Sequence, residues 1–161
     1  MTTTISFEVS YGQLAVFASS LSQPFNDWTD QHFAQGFAWR PGSVSFRTVS
    51  DAGIHVVDIE VVDRLNALGP DVLRAIDVPF EVPIDGKIEV GSISETVPLV
   101  LPVGSFMLRC EFMRSPSEDC NLVRLAFAKF EVKRFAAVRS DLGLVRSEEL
   151  LLTTCTETVF T

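Results

Sequence analysis

Apolar and polar residues alternate along most of this chain, a period of two that marks strands with one buried and one wet face. Ile5, Phe7 and Val9 alternate with Ser6, Glu8 and Ser10; Ile76, Val78, Phe80 and Val82 alternate with Ala75, Asp77, Pro79 and Glu81. Phe106, Leu108, Cys110 and Phe112 form a further apolar row, as do Val123, Leu125 and Phe127. The row then changes parity to Phe130 and Val132, which predicts a β-bulge across Ala128 and Lys129. Asp85-Gly86 separates two alternating runs within Phe80 to Ile93. That dipeptide predicts a β-hairpin with a type I′ turn, whose two central residues both take positive φ. Pro79, Pro83, Pro98 and Pro102 fall among these runs; lacking an N–H for the ladder, they belong at strand ends, edges or bulges.

Two stretches break the alternation. In Trp28 to Gly36, Thr29 can cap a helix, Trp28 and Phe33 occupy the two positions of a hydrophobic staple, and Gly36 can end it, so the spacing predicts about two helical turns. Val62 to Ala75 has weak helical periodicity interrupted by Gly69-Pro70 and reads as a loop with a helical turn. The remaining alternating segments need two facing layers to hide their apolar rows. The expected fold is therefore all-β, an antiparallel β-sandwich or flattened barrel with one short helix near residues 29–36.

Composition narrows the function. The 161 residues set against roughly 150 per domain predict one domain spanning residues 1–161, and 47% hydrophobic residues exclude a wholly disordered chain. With 13 Lys+Arg against 21 Asp+Glu the net charge is −8, which opposes direct binding to nucleic acid or to an anionic membrane. No apolar run approaches the roughly 18 residues of a membrane span, and the opening residues lack the basic and apolar regions of a secretory signal. Membrane insertion is not expected, and the cytoplasm is the predicted location. Cys110, Cys120 and Cys155 form neither an even set nor a close pair, which predicts reduced thiols rather than disulfides or a zinc site.

Catalytic chemistry has little support. His32 falls in the short helix and His55 in the strand-like GIHVVDIEVV, and neither has metal-ligand spacing; the first reads as a helix-surface residue, the second as an ordinary side chain at a sheet edge. Phosphate-cradling and nucleophile-elbow motifs are missing. A non-enzyme without cofactor or metal is predicted. Charge is more informative, because residues 51–95 hold ten acids against three bases, seven of the eight excess negative charges. Asp58, Glu60, Asp77, Glu81 and Glu89 belong to this stretch, and the even spacing of Asp77 and Glu81 puts both on one face of a strand. Such a face keeps a protein soluble; it also suits a basic partner, steering association in a salt-sensitive way. An alternative from another class is a carbohydrate-type β-sandwich module that stacks sugars on Trp28, Trp39 and Tyr11.

The segment Asn26-Asp27-Trp28-Thr29-Asp30, continuing through Gly36-Phe37-Ala38 to Gly42-Ser43-Val44-Ser45-Phe46, resembles the competence protein J family of DNA-entry nuclease inhibitors. Ile5 to Tyr11 followed by Gln13 to Phe17 is similar to that family's first hairpin. Val78-Pro79-Phe80-Glu81-Val82 is similar to its Val-Pro-Phe strand, and Leu101-Pro102-Val103-Gly104-Ser105-Phe106 to its Leu-Pro-x-Gly strand entry. The likeness runs over residues 5–132. It implies a protein that binds and inhibits a basic partner nuclease, in some bacteria the one that cuts incoming DNA. Residues 135–161 lie beyond it as an extra C-terminal segment, expected to add a strand or cover an edge. Asp27, Trp28 and Asp30 of the most specific segment join the five acids above as candidate partner contacts.

Overall fold

The structure, a computed structural model, describes residues 2–115, 117 and 120–140. Eleven strands and one helix follow in the order β1 (Thr2–Val9), β2 (Gln13–Ala18), α1 (Asp30–Gln35), β3 (Phe37–Arg40), β4 (Ser43–Arg47), β5 (Gly53–Val62), β6 (Val72–Val82), β7 (Lys87–Ser92), β8 (Glu95–Val100), β9 (Gly104–Met113), β10 (Asn121–Ala128) and β11 (Ala136–Arg139). They form a sandwich of a six-stranded sheet, ordered β1-β5-β10-β9-β6-β11, and a five-stranded sheet, ordered β3-β4-β2-β7-β8. The ladders are antiparallel except for β5 beside β10, which run parallel. The alternating rows read from the sequence meet between the sheets: Phe7, Ile76, Val78, Phe80, Phe106, Leu108, Phe112, Leu125 and Phe127 pack against Leu14, Val16, Phe46, Ile88 and Val90.

Several local expectations change. β1 and β2 do not form a hairpin, because β1 pairs with β5 while β2 crosses to the other sheet and pairs with β4 and β7. Asp85-Gly86 likewise turns the chain from β6 in one sheet to β7 in the other. The Gly86 amide donates to the Pro83 carbonyl at 2.8 Å, and of the pair only Gly86 has positive φ, so the turn is not type I′. No bulge carries β10 past Ala128. The amides of Lys129 and Phe130 donate to the carbonyls of Val62 and Asp63, which draws the chain off the ladder and leaves Phe130 and Val132 exposed. The stretch after Val62 is a loop with a single hydrogen-bonded turn, the Val72 amide donating to the Gly69 carbonyl at 3.3 Å, and the residues from Val72 to Val82 are strand, not part of it. His55 is not at a sheet edge: it lies on β5, the second strand of its sheet, and points inward at 1% exposure.

Pro79 sits within β6, opposite Met107 of β9, at a point where β11, which pairs only with Ala75 to Asp77, no longer flanks it. β6 is locally an edge there, so the missing N–H costs nothing, and the Pro79 carbonyl accepts a 2.8 Å bond from the Trp39 indole across the sandwich. Phe135, just before β11, closes this side by stacking on Phe37 at 6.3 Å and meeting Trp39 edge-on at 5.0 Å. Cys110 is buried and Cys120 half-buried, both as free thiols; Cys155 lies outside the described residues.

Candidate partner-binding surface

The short helix forms where the caps require it. The Thr29 hydroxyl accepts from the His32 amide at 3.3 Å, and the His32 ring Nδ1 accepts from the Thr29 amide at 3.0 Å. A histidine thus fills the place of the Glu or Gln of a capping box. At the other end Gly36 takes φ 92°, and its amide bonds the His32 carbonyl at 2.9 Å; the left-handed residue that ends a helix is most often glycine because a Cβ would be strained there.

This cap overturns two expectations. His32 is fully buried, not on the helix surface, because its ring is turned back onto the cap. Trp28 packs edge-on against that ring at 6.3 Å instead of stapling to Phe33, which stays 54% exposed beneath the Arg47 guanidinium, 3.4 Å from its centroid. Burial lowers the pKa of His32.

The loop before the helix lies on the outer face of the five-stranded sheet. Asn26 donates to the Ala38 carbonyl at 2.8 Å and accepts from Arg40 Nε at 2.6 Å. Arg40 also donates to the Gln23 carbonyl, and Ser43 to that of Pro24. Phe25 meets Phe17 edge-on at 5.6 Å. This pinning presents Asp27 and Asp30 to solvent with Trp28 half-buried between them. Asp27 lies close enough to Arg40 for its charge to offset part of the lowering that burial imposes on that guanidinium.

Beside the loop runs a groove of about 340 Å³ lined by Phe17, Leu21 and Phe25 on one side and by Glu89, Ile93, Glu95 and Thr96 on the other. Glu89 projects from β7 and accepts a 2.7 Å bond from the Thr96 hydroxyl; Glu95, at the start of β8, accepts from the Glu8 amide at 3.2 Å. Neither carboxylate is in an ion pair among the described residues. Lys87, two residues from Glu89 on β7, is the nearest cation along that strand. Gly91 permits the tight β7–β8 ladder here, since a Cβ on it would stand 2.2 Å from the Glu95 carbonyl oxygen.

The other outer face is built differently. Thr4, Asp58, Arg124 and Glu111 are successive cross-strand partners over β1, β5, β10 and β9. The Thr4 hydroxyl donates to Asp58 at 2.7 Å, and Arg124 to Glu111 at 3.0 Å. In the next row Glu60, Ala126, Arg109 and Asp77 follow one another. Asp77 is fully buried and accepts from Arg109 at 2.7 and 2.9 Å and from Arg134 at 2.5 Å.

The expectation that Asp77 and Glu81 jointly display an acidic face therefore fails for Asp77. Both do point to the outer side of β6, but the chain entering β11 covers Asp77 with Arg134, and only Glu81 is exposed. Asp58 and Glu60 stand on this arginine-laced face, whereas Asp27, Trp28, Asp30 and Glu89 belong to the five-stranded side. Sequence reasoning missed Glu95, Phe17 and Phe25 as neighbours of Glu89. Glu95 comes to Glu89 through the tight β7–β8 hairpin, whereas Phe17 comes opposite Glu89 only through the long-range pairing of β2 with β7, and Phe25 follows it by the fold-back of the 19–29 loop. Tyr11, Trp28 and Trp39 make no ring contact with one another among the described residues, so no shared stacking platform forms. No helix among the described residues is long and apolar enough to cross a membrane.

The family profile of Competence protein J (ComJ) matches residues 6–131. A "DNA-entry nuclease inhibitor" of Bacillus subtilis (strain 168) is 29% identical over 104 residues, spanning 63% of this chain and 75% of the relative. Two solved structures share the fold. The crystal structure of ComJ from Bacillus subtilis, described as an inhibitor of the DNA degrading activity of NucA, superposes with a TM-score of 0.64 at 22% identity, over 80% of this chain and 98% of that one. The product of crocagin biosynthetic gene J superposes with a TM-score of 0.55 at 15% identity, over 78% and 96%.

Proposed function

Because the chain belongs to the Competence protein J family, we propose that it is a cytoplasmic, non-catalytic inhibitor of a basic nuclease, which it docks against the outer side of its five-stranded sheet. The class of function rests on the relatives, which are named for inhibiting a DNA-entry nuclease and the DNA-degrading NucA. The choice of face rests on Glu89 and Glu95, which form no ion pair among the described residues and flank the Phe17–Phe25 groove, whereas Asp58 and Glu60 share their cross-strand rows with Arg124 and Arg109.

A nuclease holds phosphates with cationic side chains. Carboxylates that already hold a neighbouring arginine have less to offer such a surface than carboxylates held only by a hydroxyl or an amide. Asp27 and Asp30 extend the same side, and the half-buried Phe25 supplies apolar area at its centre. Inhibition then consists of occupying the phosphate-binding surface, with no bond made or broken by the inhibitor. The carbohydrate-binding alternative lacks a common platform for its three aromatic rings.

The decisive experiment follows DNA degradation by Bacillus subtilis NucA, and by any nuclease encoded beside this chain, as the purified protein is added. Stoichiometric loss of cleavage that weakens as salt rises is expected. Undiminished cleavage by every such nuclease at an excess of protein overturns the inhibitor reading, whereas salt-insensitive inhibition overturns only the electrostatic docking.

A further inference from the structure

We propose that the side opening of the sandwich, where the last residues of β6 face β3, is a receptor for an arginine side chain on an extended segment of a protein partner. β11 flanks β6 only at Ala75 to Asp77, so Pro79 to Val82 run along a free edge. Beside this edge lies a cleft of about 290 Å³ whose lining includes Trp39, Pro41, Pro79, Phe80, Glu81 and Ser105. It shares no residue with the Phe17–Phe25 groove. Glu81 is the one ionisable residue in the lining; it is exposed and forms no ion pair among the described residues.

The walls suit a guanidinium. Trp39 is half-buried and held in place, its indole donating to the Pro79 carbonyl at 2.8 Å and its ring meeting Phe135 edge-on at 5.0 Å. That bond uses the only donor of an indole, so Trp39 has ring surface and no free polar group to give a ligand. Aromatic surface attracts a cation, and the flat, weakly hydrated guanidinium gains more from it than the compact, strongly hydrated ammonium of lysine. The proline rings add apolar surface for the methylene stem. The Glu81 carboxylate supplies the opposite charge and can accept two parallel N–H bonds, and it opposes an anionic ligand.

The free edge indicates that the guanidinium comes on a protein. Along an antiparallel ladder, successive residues turn their N–H and C=O alternately toward the partner strand and away from it. The Pro79 carbonyl bonds Trp39, on the side away from β9, so Glu81, two residues on, turns its amide and carbonyl to that same free side. No strand lies beyond β6 there among the described residues. β11 runs antiparallel, with Arg139 opposite Ala75, and so leads the chain away from Glu81 rather than along it. A peptide unit matches this donor and acceptor, as when an extended segment adds to a sheet edge; a free cation does not.

The test uses the full ¹⁵N-labelled chain, whose two indole resonances are told apart with Trp28→Phe. Adding the blocked tripeptide valyl-arginyl-valine should shift the Trp39 Nε1 and Glu81 amide resonances saturably. The same peptide with citrulline in place of arginine keeps the shape without the charge and should bind about tenfold more weakly, the worth of one charged hydrogen bond. Glu81→Gln, at an exposed position, should weaken the arginine peptide by a similar factor while leaving the citrulline peptide and the melting temperature unchanged. Three results would each overturn the proposal: no saturable shift, equal binding of the citrulline peptide, or full binding of the arginine peptide to Glu81→Gln. Butylguanidinium binding as tightly as the peptide would also overturn it, by assigning the cleft to a free cation. No nuclease enters the measurement, so its failure leaves the inhibitor reading in place.

Discussion

The two outer faces of the sandwich carry carboxylates in contrasting company. On the six-stranded face Asp77 is clasped by Arg109 and Arg134, Glu111 by Arg124; on the five-stranded face Glu89 and Glu95 accept only a hydroxyl and an amide. Sequence spacing treats these acids alike, since all lie in strands of even alternation. The difference arises from cross-strand neighbours, so a surplus of acids in one stretch of chain does not amount to an acidic surface. Surplus charge acts at a distance only where no cation stands opposite.

The largest expected effect breaks the compensated face. Asp77→Ala leaves Arg109 largely buried without its carboxylate, and removing one partner of a buried pair costs about 3–5 kcal/mol. Urea unfolding should show the loss as a lower midpoint. A midpoint unchanged from wild type would mean that Arg109, through its 3.1 Å bond to the Asn66 carbonyl, needs no counter-charge.

The next effect sharpens the contrast directly. Glu89→Lys with Glu95→Lys should slow association with a target nuclease by roughly tenfold or more at low salt, as expected when steering charges are reversed. The same reversal at Asp58 and Glu60 should do clearly less, because Arg124 stands opposite Asp58 in the ladder. Stopped-flow rates at two ionic strengths compare the pairs. Equal slowing by both would dissolve the distinction between the faces.

A smaller effect is expected from pH. Burial lowers the pKa of both His32 and His55, so each ring is neutral in the fold and takes up protons more readily once unfolded. The sign follows from linkage: stability from these groups is complete above about 6.5, the unfolded value, and declines as pH falls below it toward the lowered folded values. Protonating His32 at Nδ1 also removes the acceptor of the Thr29 amide. Melting temperatures recorded from pH 8 to 5 should fall on the acid side, and His32→Gln should flatten part of that fall. A wild-type curve that is level through this range would contradict both burials.

Much of the fold was legible because the inward rows on β1, β6, β9 and β10 alternate cleanly, and the helix because Thr29 and Gly36 stand at its two ends. The two supposed hairpins were not, since Tyr11-Gly12 and Asp85-Gly86 mark turns equally well whether the next strand pairs with the last or crosses to the other sheet. Phe130 and Val132 continued an apolar pattern after the ladder had ended, a point fixed by the carbonyls of Val62 and Asp63 some sixty-seven residues upstream in the chain. Of the candidate contact residues, Glu89, Asp27 and Asp30 lie on the groove side of the sandwich. Asp77 was misplaced because its two arginines come from β9 and from the segment before β11. His32 was misplaced because a histidine in a capping box has the same local spacing as one on a helix surface.

The smallest expected effect concerns Asp27 and Asp30. Both are exposed, and Asp30 occupies the positive first turn of the helix, where a carboxylate contributes about 0.3–1 kcal/mol. Thr29 supplies the cap and Trp28 covers its histidine, so the local structure accounts for every residue of the segment except Asp27, whose charge lies near Arg40. Replacing both aspartates by asparagine keeps shape and removes charge. If the segment only folds the chain, the melting temperature should drop slightly and nuclease inhibition should stay at full strength. If the acids belong to the same docking side as Glu89 and Glu95, association should slow by a few fold, less than for reversal at the groove because neutralisation removes attraction without adding repulsion. The double variant, read for melting and association on one preparation, separates these outcomes. Full inhibition with wild-type rates would confine the interface to the groove.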